Sequence, residues 1–248
     1  MVEDYIIFVL FCPVFLTGHL FWVIFMKNQK LKNISVVAVF TAIAFLLTFF
    51  FKFKVSFLTF DFKDAIIAII SLVYGPIYGV TSAGVVAFLE FLSFSDTGPY
   101  GLIMNFISSA TFAFVFGSIY KFKRTFGGAI FSAVLSAISV TAVMMVANYF
   151  ITPYYMGVSR ADVVALIPTL LLPFNLAKTV INAASTLILY KPVTNALKRV
   201  GAIKKSKDNV SFNKKSIILT VVSLIVILVA VLFVIYYLNG GFSVVKNS

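Results

Sequence analysis

Residues 34–51 and 217–238 are two long runs of Ile, Val, Leu, Phe and Ala that contain no charged side chain. A helix of about 20 such residues is what spans the roughly 30 Å hydrocarbon core of a bilayer. The rest of the chain fits this. Apolar residues make up 61% of the 248 positions and charged ones 11%, against about 45–50% and about 25% in soluble domains. That composition cannot cover a water-facing surface. In lipid the backbone must satisfy its own hydrogen bonds, as helices or as a closed barrel. The runs are continuous rather than alternating over about ten residues, as barrel strands would be, so the chain is predicted to be an all-α integral membrane protein.

Eight segments emerge, at 5–26, 34–51, 65–74, 77–94, 102–120, 127–149, 164–190 and 217–238. The third is too short to cross alone and stops at Gly75-Pro76, a strong turn signal; with residues 60–64 before it, it reads as a short helix inside the bundle. The first is longer than the apolar core of a signal peptide, and Glu3 and Asp4 precede it where a basic region would be needed. The net charge of +12 is spread over short basic clusters between the apolar runs, which argues for topology signals and against nucleic acid. Lys27, Lys30 and Lys32, then Lys121, Lys123 and Arg124, then the lysines and Arg199 between 191 and 215 fall on one side. By the positive-inside rule that side is cytoplasmic, and both termini are then extracellular. The chain divides into an extra N-terminal helix (1–32), a bundle (33–192), a basic cytoplasmic linker (193–215) and an extra C-terminal helix (216–248).

Polar groups inside apolar spans are costly, so they are where function is sought. Helical spacing puts Asn175, Lys178 and Asn182 within roughly 60° of one another on one face. Pro173 is placed to kink that helix and make room beside it; the competing reading is a snorkelling lysine with an interhelical amide bond. Asn148, near the outer end of the sixth segment, adds a second amide, with a plain helix-ending residue as its alternative. Amides offer donors and an acceptor, which suits a neutral heterocycle edge of alternating carbonyl and N–H groups. The outer loops add Asp61 and Asp64, in a connection able to close as a lid, and Tyr100, in the turn after the fourth segment. Asp64 as a helix cap is the plainer alternative. Glu90 is expected to line the cavity or to pair with Lys178.

Ala38 and Ala42, four apart, form a small-residue face that a neighbouring helix can approach closely. His19 has no second ligand at metal-binding spacing, Cys12 has no intrachain partner, and Walker, zinc-protease, nucleophile-elbow and kinase motifs are missing from the sequence. No cofactor and no enzymatic activity are expected.

From Ala38 to Tyr190 the chain resembles the S-components of energy-coupling-factor vitamin transporters, most closely the riboflavin-specific ones. The resemblance lies in Phe60-Asp61-Phe62-Lys63-Asp64, Tyr74-Gly75-Pro76-Ile77-Tyr78-Gly79, Thr97-Gly98-Pro99 before Asn105-Phe106, Asn148-Tyr149-Phe150 and Pro173-Phe174-Asn175-Leu176-Ala177-Lys178. It implies a six-helix bundle, here with one further helix at each end, that holds riboflavin or a related flavin near the outer face beneath the loop after its first helix. It also implies that Asn148, Asn175 and Lys178 contact the flavin, that the Ala38/Ala42 face docks a transmembrane coupling subunit, and that two cytoplasmic ATPases drive the cycle in a bacterial plasma membrane. Riboflavin is then transported ligand. The alternatives are an S-component for another vitamin, a membrane-embedded lipid or isoprenoid enzyme, against which the scarcity of cytoplasmic acidic pairs argues, and a structural scaffold.

Overall fold

The computed structural model describes residues 28–55, 58–94, 97–122, 125–203 and 214–233. The segment at 5–26 lies outside them. The first described helix, α1 (Gln29–Phe50), starts at Asn28, whose side-chain oxygen accepts from Lys30 N at 3.1 Å and so satisfies one of the N–H groups a helix start leaves unpaired. Between it and the next helix the connection forms a short hairpin. Strands β1 (Phe53–Val55) and β2 (Leu58–Phe60) pair antiparallel, with Phe53 opposite Phe60. Helix α2 then begins at Lys63 and runs to Tyr74. Residues 60–62 are therefore strand and connection, and Asp64 lies inside the first turn of α2 with Phe62 at the cap position.

Past Lys63 and Asp64, helix α2 buries consecutive residues on every side, Ile66, Ile67, Ile69 and Ile70 among them, the pattern of a helix enclosed by others. It touches α1 and three later helices, α3 (Pro76–Phe94), α4 (Gly98–Phe122) and α7 (Leu172–Arg199). Its close approach to α3 and α4 depends on glycine. A Cβ on Gly79 would lie 2.7 Å from Ser71 Cβ, and one on Gly117 would run into Ser71 Oγ. Ser71 Oγ instead donates to Ala113 O at 2.6 Å, tying α2 to α4. Gly75, at φ 111°, lets the chain turn directly into Pro76.

Helix α5 (Phe126–Met156) continues past Asn148 and carries Pro153 in its last turn before Gly157 closes it in the left-handed conformation. Asn148 is thus interior to the helix, not its end. The short α6 (Arg160–Leu166) opens on a capping box, Asp162 N donating to Ser159 Oγ at 3.2 Å and Ser159 N to Asp162 Oδ2 at 3.0 Å. Between α6 and α7 lies one widened turn, Ile167–Leu171, in which Leu172 N reaches back five residues to Ile167 O. Pro168 and Pro173 both fall at this junction, where missing donors are absorbed without a sharp break. Helix α7 runs on through Pro192 to Arg199, so helix occupies the first part of the basic stretch.

Several hydroxyls in the spans are satisfied within their own helix. Ser132, Ser136, Thr141 and Thr186 each donate to the carbonyl four residues back, at 2.6–2.7 Å, which removes an unpaired donor from an apolar setting. Among the described residues five helical segments are long and apolar enough to cross a membrane: Gln29–Phe50, Pro76–Ser93, Gly98–Phe122, Gly127–Met156 and Arg160–Arg199. The last described helix, α8 (Lys214–Phe233), has 20 residues, about 30 Å of rise, and packs on α7.

Candidate functional site

The polar interior gathers where the hairpin, the start of α2 and the first half of α7 meet. Asn175, Lys178 and Asn182 are all buried on α7, as their spacing predicts. Lys178 Nζ donates to Asp61 Oδ2 at 2.8 Å and to Thr59 O at 3.1 Å. Asn182 works in both directions. Its Oδ1 accepts at 3.1 Å from Ala65 N at the start of α2, an N–H that otherwise has only a 3.3 Å bond to Phe62 O, while its Nδ2 donates to Asp61 O at 2.9 Å and Lys178 O at 3.1 Å. The junction between β2 and α2 is thereby fixed to α7 by side chain and backbone together.

Lys63, 1% exposed, extends the network to the opposite side. Its Nζ lies 2.7 Å from both Glu90 oxygens and 3.6 Å from Asp61 Oδ2. Asn105 Nδ2 on α4 donates to Glu90 Oε2 at 3.0 Å, and Ser109 Oγ donates to Asp64 Oδ1. Glu90 therefore pairs with Lys63 and not with Lys178. Three carboxylates and two ammonium groups share one desolvated region, where each charge needs a partner. Burial alone would raise the Asp61 carboxyl. The Lys178 and Lys63 ammonium groups beside it reverse that and hold it below its ordinary range. Among the described residues Asp61 Oδ1, also buried, has no hydrogen-bond donor, which leaves it an acceptor at the centre of the cluster.

The other expected residues stand apart from this network. Asn175 Nδ2 donates to Leu171 O at 2.7 Å in its own helical segment. Asn148, fully buried in α5, donates to Met144 O at 2.7 Å and accepts from Thr152 Oγ1 at 2.9 Å. Tyr100 is 39% exposed at the start of α4, its ring 6.3 Å from that of Tyr155. Sequence reasoning missed Lys63, Asn105 and Ser109 as members of the network. The usable signal was Lys63 set between Asp61 and Asp64 at the head of an otherwise mostly apolar helix, where oppositely charged neighbours can hold a buried ammonium group. Ala38 and Ala42 are exposed on α1. The apolar side of the junction is closed by Phe60 against Phe174, ring centroids 4.4 Å apart.

The fold and the sequence of the bundle are both similar to those of known proteins. A solved S component of a bacterial ECF transporter superposes with a TM-score of 0.59 at 32% identity, over 69% of this chain and all of that one. The riboflavin transporter RibU of Staphylococcus aureus strain TCH60 is 33% identical over 185 residues, 71% of this chain and 97% of its own length. The riboflavin transporter FmnP of Bacillus subtilis strain 168 is 29% identical over 66% of this chain and 93% of its own. The profile of the family described as "ECF transporter, substrate-specific component" matches residues 32–190. The chain belongs to that family, as a multi-pass membrane component of a transporter and not an enzyme.

Proposed function

We propose that this chain is the binding subunit for riboflavin uptake, capturing the vitamin near the outer face of a bacterial plasma membrane and releasing it inside when joined to an ATP-driven coupling module. The observation that carries the ligand is the buried Asn175/Lys178/Asn182 face of α7 beneath the hairpin, beside Asp61 Oδ1. An ammonium group and amides are suited to the carbonyl and N–H edge of an isoalloxazine ring, and a carboxylate accepts from ribityl hydroxyls. The names of the bacterial relatives point to the same vitamin. Asn148, Asn175, Lys178 and Asp61 are the contacts we assign, with Asp64 and Tyr100 at the margin. Rearrangement of the Lys178–Asp61 pair accompanies binding.

Ala38 and Ala42 lie exposed on one side of α1 and fit a close helix-to-helix contact with a transmembrane coupling subunit, itself served by two cytoplasmic ATPases. In this reading both termini are extracellular, residues 1–32 and 216–248 are additions to the bundle at 33–192, and 193–215 is a cytoplasmic linker. The test is a titration of the detergent-purified protein with riboflavin. Stoichiometric quenching of flavin fluorescence is the expected result; lack of heat and of quenching at micromolar protein would transfer the site to another small heterocycle.

A further inference from the structure

Helix α8 lies beyond residue 190, where the family match ends, yet it is joined to the site. Among its described side chains Ser223 and Ala230 are buried, at 3% and 8% exposure, while Val222, Leu224, Leu228, Val229 and Leu232 are exposed. Seven residues are about two turns, so Ser223 and Ala230 share one edge. Small residues let helix backbones come close in lipid, and this edge is the one that meets α7. The two helices run antiparallel, because Ala230, near the end of α8, packs in an apolar cluster with Leu170, Phe174, Ala177 and Ile181 around the start of α7. Phe60 of β2 belongs to the same cluster. Helix α8 therefore backs the stretch of α7 that carries Asn175, Lys178 and Asn182, and it contributes to the apolar clasp that holds the hairpin down.

We infer that α8 is an intramolecular brace on the hairpin. It secures Phe60 and Phe174 against the outer turns of α7, so that lifting the hairpin from the polar face requires α8 to shift as well. A substrate entering or leaving beneath the hairpin would then be slowed by a helix outside the family's common core; this consequence rests on the proposed riboflavin site, whereas the brace does not. On α1 the Ala38/Ala42 face stays exposed, so α8 does not cover the surface assigned to the coupling subunit.

Amide hydrogen exchange of the ligand-free, full-length protein tests the brace. Ala230→Phe, which forces a ring into the close contact, is expected to speed exchange at the amides of residues 58–60 about tenfold, since weakening a local closure by one decade raises the open population equally. Val229→Phe, on the lipid-facing side, leaves it at the parent rate. In a Cys12→Ser background, bridging Ala177→Cys to Ala230→Cys should slow the same amides, and should slow riboflavin dissociation with them. Hairpin exchange that is indifferent to both the wedge and the bridge overturns the inference. A parent protein that binds no riboflavin removes the ligand assignment alone, because exchange is measured without ligand; riboflavin binding with exchange indifferent to α8 removes the brace alone.

Discussion

Lys63 and Glu90 show what the apolar environment demands of single residues. Each is nearly inaccessible; without Glu90, Lys63 keeps only the longer 3.6 Å contact with Asp61 Oδ2, and breaking a buried pair costs about 3–5 kcal/mol. Glu90→Ala is accordingly expected to lower the thermal midpoint of the detergent-solubilised protein sharply, while Lys63→Met combined with Glu90→Met recovers most of the loss. A double variant as unstable as the single one would show that the pair does more than cancel charge. For the ligand, Lys178→Ala and Asn175→Ala should each weaken riboflavin binding by about tenfold or more, a charged or amide hydrogen bond being worth about 1–3 kcal/mol, as measured by calorimetry. The common face of Asn175, Lys178 and Asn182 was legible in the sequence, since three- and four-residue spacing fixes it. Their partners were not. Glu90 meets Lys63 because α2 turns that lysine inward, a choice made by packing between segments 27 residues apart.

At the scale of elements, the crossing of α2 with α3 and α4 rests on glycine. Gly117→Ala places a methyl against Ser71 and is expected to cost about 1–3 kcal/mol by overpacking; adding Ser71→Gly should restore part of it, as read from unfolding in a denaturing detergent titration. Apolar run length located the spans at 34–51, 77–94 and 102–120 closely, and Gly75-Pro76 marked the end of α2. Two boundaries were not legible. The sequence leaves Asn148 open as a helix end; α5 instead continues past it, because Pro153 in the last turn removes only one hydrogen bond and leaves the helix to close at Gly157. The hairpin was hidden because Phe53–Val55 and Leu58–Phe60 are each three residues long, too few for alternation to stand out.

For the whole molecule, membership of the substrate-specific components places this chain within a larger transport assembly, and the assembly must grip it from outside. Ala38→Leu or Ala42→Leu is expected to abolish riboflavin uptake in cells that supply the coupling module while leaving binding to the purified subunit unchanged. Uptake at the parent level would move the docking surface elsewhere. The widened turn at Ile167–Leu171 bears on all of this. One residue more than an α-helical turn requires is spent there, and each residue advances a helix by about 100°. Everything after it, from Asn175 to Asn182, is consequently swung by that angle about the long axis relative to an unbroken continuation of α6. Shortening the turn by a single residue would aim Lys178 away from the hairpin while leaving its depth in the bilayer nearly the same, so the compass bearing of this polar face is set by a backbone detail in front of it.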